Sequence, residues 1–125
     1  GAPLYRGRGD RWVSRTSLRE TTAAAMALAV GVEDADVVFD PFCGSGTVLE
    51  EAAGVATARC AGEHRSFALE AAPVWRSERM RHAQRVHCSE VPREEPILVG
   101  GDVDADALEA ARHNLAQCGL KSSDT

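Results

Sequence analysis

The residues best suited to chemistry lie between positions 37 and 47, which read Val-Val-Phe-Asp-Pro-Phe-Cys-Gly-Ser-Gly-Thr. The β-branched and aromatic run predicts a buried strand, Val37–Asp40. Gly44 and Gly46 then predict a tight turn, and Thr47 begins a helical pattern. Glycine permits positive φ and close approach of a ligand to bare backbone, while a helix start presents unpaired N–H groups. An acid, Asp40, on the same rim completes a predicted ligand-binding edge.

The sequence of the turn and its surroundings excludes two common classes of ligand site. No Gly-Lys-Ser/Thr follows the glycines, so this is not a phosphate-binding P-loop, and Leu49 occupies the third glycine position of the dinucleotide fingerprint. A second acid, Asp102, ends a second predicted strand, Ile97–Gly101. It lies much farther from Gly46 than the roughly 20 residues of a dinucleotide site, which argues against a plain NAD site.

The elements that position these residues alternate between helix and strand, which predicts an α/β fold with a parallel sheet and right-handed crossovers. A Ser17/Glu20 capping box predicts the first helix start, and Asp104 is predicted to cap the last helix. Gly31 and Gly119 are predicted helix stops. The predicted order is helix Leu18–Val30, strand Val37–Asp40, helix Thr47–Ala58, loop Arg59–Ala72, helix Val74–Val86, strand Ile97–Gly101 and helix Ala105–Gln117.

Size and composition describe one small globular domain. The chain has 125 residues and a formal net charge of −5, which argues against a uniformly basic nucleic-acid surface. Its four cysteines are far apart and form no Cys-x-x-Cys pair, so neither a metal site nor a disulfide framework is predicted. We expect reduced thiols, no membrane span and a cytoplasmic protein.

The segment 1–16 is a basic lead-in in which arginines are interleaved with Tyr5 and Trp12. Arg6, Arg8 and Arg11 suit contact with nucleic-acid phosphates, but a solvated connection to another domain explains them equally well. In the second predicted helix, the acids at positions 50 and 51 lie near the helix start, where we expect them to be solvated and matched to the helix dipole.

The run Asp-Pro-x-Cys-Gly-Ser-Gly-Thr resembles the cofactor loop of S-adenosylmethionine-dependent methyltransferases. It is most similar to the RNA guanine-N2 methyltransferases that carry a THUMP domain upstream. The likeness covers nearly the whole chain, and the glycine motif with the insertion after it is specific. The other similar stretches are Leu4–Arg8, Ser17–Val30, Leu49–Ala53, Ala58–Phe67, the region of Trp75, Gly101–Asp104, Ala110–Asn114 and Gly119.

The resemblance implies a partial Rossmann-like class I methyltransferase fold: the first two βα units of the sheet and a preceding helix, within 17–125. It implies that Asp102 holds the ribose of S-adenosylmethionine and that ribosomal or transfer RNA is the substrate. The family's catalytic Asn/Asp-Pro-Pro-Tyr motif does not occur in these residues, so no catalytic residue is assigned and we expect no activity from this part alone. The implied cofactor residues are Asp40, Pro41, Phe42, Cys43, Gly44, Ser45, Gly46, Thr47, Asp102 and Val103.

Two alternatives stay open. A DNA amino-methyltransferase can share the same catalytic tetrapeptide. A non-catalytic RNA- or nucleotide-binding module would use the arginines of the lead-in, and its RNA binding would be sensitive to salt. With the sheet incomplete, one edge of the first strand is also expected to be unpaired and apolar.

Overall fold

Two parallel strands form the centre of the computed structural model, which describes residues 11–12, 17–59, 72–73 and 94–120. Strand β1 (Val37–Asp40) is paired in register with strand β2 (Ile97–Gly100), from Val37 opposite Ile97 to Asp40 opposite Gly100. The described elements, in chain order, are α1 (Glu20–Val30), a 3-10 turn (Val32–Asp34), β1 (Val37–Asp40), α2 (Thr47–Ala56), β2 (Ile97–Gly100) and α3 (Ala105–Gln117). The predicted α/β order with a parallel sheet is therefore confirmed.

The core lies on one side of this sheet, where α2 and α3 cover the inward residues of the strands. Leu98 of β2 packs with Leu49 of α2 and Leu115 of α3 in one buried cluster. A second cluster joins α1 to α2 through Ala27 and Ala52. Alanine at these positions lets the helices lie close together, since a short side chain adds little thickness between two backbones. Four small or apolar residues at helical spacing form the buried face of α2: Leu49, Ala52, Ala53 and Ala56.

The other face of the strands carries four exposed apolar side chains in the described part of the chain. They alternate with the inward residues, as the two-residue period of a strand requires, and are Val37, Phe39, Ile97 and Val99. Strand β1 has β2 as its one described neighbour, so its outer edge has no partner among these residues. Within the described part of the chain, no helix is long and apolar enough to cross a membrane.

The helix caps agree with the sequence at three of four ends. Gly31 has φ +69° after α1, and Gly119 has φ +74° after α3, where the Leu120 N–H donates to the Leu115 carbonyl at 3.1 Å. The Asp104 carboxylate accepts the Asp106 N–H at 3.0 Å, as a helix cap does. The capping box at Ser17 and Glu20 is wrong.

Helix α1 begins at Glu20, and its cap residue Arg19 makes no side-chain hydrogen bond to the helix. The Ser17 and Glu20 side chains are engaged instead by Ser45 and Arg11, which lie outside the helix. Helix α2 ends two residues earlier than predicted, since Ala58 has φ +52°. The predicted helix Val74–Val86 and nearly all of the loop before it lie outside the described residues.

Gly100 and Gly101 offer a test of packing behind the sheet. A Cβ at Gly100 would lie 2.9 Å from Cδ1 of Leu49 and 3.1 Å from Sγ of Cys43, and both of these side chains are buried. We expect Gly100→Ala to lower the free energy of unfolding by about 1–3 kcal/mol, as overpacking does. Urea denaturation measures this change.

The control is the neighbouring glycine. A Cβ at Gly101 would come no closer than 3.4 Å, to the Pro41 carbonyl oxygen. Gly101→Ala should therefore change the free energy of unfolding by less than about 1 kcal/mol. Equal effects of the two substitutions would contradict the packing described for Gly100.

Candidate ligand-binding site

The carboxyl ends of β1 and β2 meet at one edge of the sheet and are joined by hydrogen bonds. The Cys43 N–H donates to the Gly101 carbonyl at 2.8 Å, and the Gly101 N–H donates to the Asp40 carbonyl at 2.9 Å. Across the same edge, the Gly44 N–H donates to Oδ2 of Asp102 at 2.9 Å. The glycine turn and the second acid therefore lie at a common edge of the sheet.

The Asp102 carboxylate is held in its charged form by backbone donors. Its Oδ1 accepts the Asp104 N–H at 3.0 Å. The hydrogen bonds from Asp104 and Gly44 lower the pKa of Asp102 from its ordinary value of 3.8. Because each carboxylate oxygen has two lone pairs, Asp102 can still accept hydrogen bonds from the hydroxyl groups of a ligand.

The two glycines of the turn are required for different reasons. Gly44 has φ +53°, and a Cβ placed on it would meet no atom within 4 Å. Gly46 has φ +82°, and its Cβ would lie 3.2 Å from Cβ of Ala111 in α3. Gly44 therefore leaves backbone open to a ligand, whereas Gly46 lets α3 approach the turn.

Cys43 places its thiol in the core, away from the open edge. Its side chain is buried with Leu49 and Leu98. Burial raises the pKa of the Cys43 thiol from 9.0, and the nearby Asp40 and Asp102 carboxylates raise it further. The thiol therefore stays protonated, and the backbone of Cys43 is the part that lies at the edge.

Two residues of the edge expose apolar side chains. The Phe42 N–H donates to Oδ1 of Asp40 at 3.1 Å, which fixes the start of the turn, and the Phe42 side chain is 83% exposed. Val103, next to Asp102, is fully exposed. Two apolar side chains thus flank an ionised carboxylate and a stretch of bare backbone. The described residues contain no group of three or more His, Cys, Asp or Glu side chains that could hold a metal ion.

Ser45 and Thr47 are buried, and their side chains are bonded to residues that precede α1. The hydroxyl oxygens of Ser45 and Ser17 are 3.0 Å apart. The Arg11 guanidinium donates to Oγ1 of Thr47 at 2.8 Å and forms an ion pair with Glu20. Arg11 is therefore not free to contact RNA phosphates, because its side chain is 9% exposed and bound within the domain. The predicted RNA contacts Arg6 and Arg8 lie outside the described residues.

Glu50 is buried, whereas the sequence predicted it to be solvated. It is 1% exposed, and its Oε2 lies 3.1 Å from Nη2 of Arg11. Its Oε1 accepts the S–H of Cys118 at 3.0 Å. A buried carboxylate needs such partners, because its desolvation is otherwise too costly. Helical spacing could have indicated that Glu50 is buried, since it lies on the same side of the helix as the cap residue Gly46 and the fully buried Ala53.

Asn114 of α3 is the second residue that sequence reasoning missed. It is 2% exposed, and its Nδ2 donates to the carbonyls of Trp12 at 2.8 Å and Ser45 at 2.9 Å. Its Oδ1 accepts the Trp12 N–H at 2.9 Å. The Trp12 ring stacks on His113, with ring centroids 4.5 Å apart. The available signal was a polar residue on the buried, otherwise apolar face of an amphipathic helix.

Comparison with known proteins identifies the family of this chain. The family described as the RMKL-like methyltransferase domain matches residues 8–124. This chain belongs to that family. The ribosomal RNA large subunit methyltransferase K/L of Alcanivorax borkumensis is 37% identical over 98% of the chain, which spans 18% of that relative. The family prediction is confirmed.

Solved structures of similar proteins have the same fold. One, described as a "predicted N6-adenine-specific DNA methylase" from Listeria monocytogenes, has a TM-score of 0.74 and 31% identity. Another, SMU.472, described as a "putative methyltransferase complexed with SAH", has a TM-score of 0.71 and 32% identity. The chain is covered to 96% in both and spans 32% and 33% of their lengths. The partial Rossmann-like methyltransferase fold is thus confirmed.

Acid titration tests the environment of Asp102. A carboxylate whose pKa is lowered in the folded state stabilises the fold at pH values above its ordinary pKa of 3.8. This contribution is lost as the pH falls below 3.8 and through the pKa of the folded state. We therefore expect Asp102→Asn to flatten the decline of the thermal midpoint below about pH 4. Parallel curves for the parent and the variant would mean that the backbone donors do not favour the charged form.

Substitution of Glu50 tests the buried ion pair. Glu50→Gln leaves the Arg11 guanidinium without its buried countercharge, so we expect a loss of unfolding free energy on the order of 3 kcal/mol. Glu109→Gln, at an exposed position of α3, is the control and should cost less than about 1 kcal/mol. Chemical denaturation of both variants measures the difference, and equal costs would refute the special role of Glu50.

Proposed function

We propose that this chain is the S-adenosylmethionine-binding portion of an RNA methyltransferase that methylates the exocyclic N2 amine of guanine in ribosomal or transfer RNA. The observation that carries the proposal is the contact between the open turn at Gly44 and the ionised Asp102 carboxylate. Family membership supports it. Because the chain spans a minor part of its relatives, activity and substrate belong to the proposal.

The residues at the edge fit this cofactor in charge and shape. The Asp102 carboxylate would accept the ribose hydroxyls, and the backbone at Gly44 is free of side-chain atoms on its open side. Phe42 and Val103 offer apolar surface to an adenine ring. The proposed cofactor residues are those predicted from the sequence, with Cys43, Ser45 and Thr47 contributing backbone because their side chains are buried: Asp40, Pro41, Phe42, Cys43, Gly44, Ser45, Gly46, Thr47, Asp102 and Val103.

Chemically, the bound sulfonium supplies the methyl group. The contribution of this chain is to bind and orient it, which lowers the barrier by positioning. No residue here is assigned as catalytic, since the family's Asn/Asp-Pro-Pro-Tyr motif does not occur in the 125 residues. The domain boundary is proposed to include Arg11 and Trp12, because both are bonded to the turn or to α3.

RNA is preferred to DNA as the substrate because the 37% identical relative is a ribosomal RNA methyltransferase. The neighbour described as a DNA methylase supports the second candidate, a DNA amino-methyltransferase. An RNA substrate also supports the proposal of a cytoplasmic protein. Methylation assays with labelled S-adenosylmethionine, carried out on the protein that contains this chain and the catalytic motif, distinguish ribosomal RNA, transfer RNA and duplex DNA as acceptors.

Calorimetric titration with S-adenosylhomocysteine tests the cofactor site directly. We expect the parent chain to bind, and Asp102→Asn to bind about 10- to 100-fold more weakly, since hydrogen bonds to a charged group are lost. Asp106→Asn, which removes an exposed carboxylate at the start of α3, is the matched control and should bind like the parent. No heat with the parent, or equal affinity of all three, would refute the assignment.

A further inference from the structure

The glycine turn is held from its buried side by residues that do not lie at the open edge. Arg11 and Trp12, named here the 11–12 strap, contact the turn or the helix behind it. Arg11 donates to the Thr47 hydroxyl, and Trp12 is bonded through both of its backbone groups to Asn114. The inner side of the turn is therefore tied to a segment that is distant in sequence.

Asn114 connects the strap to the turn with its whole amide group. Its Nδ2 donates to the carbonyls of Trp12 and Ser45, and its Oδ1 accepts the Trp12 N–H. Two donors and one acceptor are thus used in a site that is 2% exposed. An amide so buried and so completely bonded allows one orientation, because any rotation would leave polar atoms unpaired.

Arg11 restrains the other end of the turn. Its Nη2 lies between the Thr47 hydroxyl, 2.8 Å away, and the Glu50 carboxylate, 3.1 Å away, while Nη1 pairs with Glu20. The planar guanidinium contacts all three from two nitrogens held in a fixed geometry, whereas a lysine ammonium would have to reach them from one atom. Arg11 therefore links α1 to the first turn of α2.

We propose that the 11–12 strap and Asn114 hold the turn Gly44–Thr47 in its ligand-binding conformation, which makes Arg11 and Asn114 positioning residues for the cofactor. This inference rests on the proposed function. Its physical basis is that Gly44 and Gly46 both have positive φ and little intrinsic restraint, so an unheld turn would lose conformational entropy on binding. A turn that is already ordered avoids that loss.

The primary test is Asn114→Ala, with Gln117→Ala, an exposed amide of the same helix, as the control. We expect Asn114→Ala to bind S-adenosylhomocysteine about tenfold more weakly and Gln117→Ala to bind within about twofold of the parent. Urea denaturation is measured on each variant. If a variant is at least about 99% folded, global unfolding lowers its apparent affinity by only about 1%, so a tenfold loss reports the turn itself.

Arg11→Lys is the milder second variant, because it keeps a positive charge beside Glu50 but loses the simultaneous contacts. Its control is Arg19→Lys at the exposed cap position of α1. We expect weaker binding from Arg11→Lys alone. If both test variants remain folded and bind within about twofold of the parent, the inference is overturned. If neither folds, it is also overturned, because the contacts then serve the whole domain.

Amide hydrogen exchange separates this inference from the proposed function, since it needs no ligand. The Gly44 and Gly46 N–H groups are bonded to Asp102 and to the Cys43 carbonyl. In Asn114→Ala they should exchange about tenfold faster, while the Ile97 N–H, bonded to the Asp36 carbonyl, keeps its rate. If the parent does not bind S-adenosylhomocysteine, the proposed function fails, and unchanged exchange at both glycines overturns the inference on its own.

Discussion

The hydrogen bond from the Gly44 N–H to the Asp102 carboxylate is the contact on which the candidate site depends. It joins the turn after β1 to the turn after β2, and parallel pairing in register makes it reachable because both strands end at the same level. With the antiparallel arrangement, the two acids would lie at opposite edges of the sheet. The Asp102 side chain thus holds the turn through this hydrogen bond and is also the acceptor proposed for a ligand.

Behind this edge, several polar side chains are buried. Glu50, Arg11 and Asn114 all lie on the inner side of the turn. Burying them costs free energy, which the ion pair and the amide hydrogen bonds offset but do not exceed by much. Their hydrogen bonds are directional and therefore fix the orientation of the groups that they join, which apolar packing of similar volume does not do.

The strand-turn-helix pattern made the site predictable, and it also led to the errors. The alternation of helix and strand patterns, the spacing of the glycines and the helix caps are local signals. They predict the bounds of both strands, α2 and α3 to within two residues. The same local view placed Glu50 in solvent and offered Arg11 either as an RNA contact or as part of a solvated connection. A charge near a helix start is ordinarily solvated, and nothing within a few residues of either side chain reveals the partner that removes it from water.

The sequence by itself determined the class of fold, the two strands, the turn and the acids at their ends, because these depend on contacts within a few residues and on the period of buried side chains. Tertiary structure alone decided which side chains of the turn point inward and what holds them. Those contacts join residues as far as 102 positions apart, such as Asn114 and Trp12, and only the packing of α3 against the turn brings them within hydrogen-bonding distance.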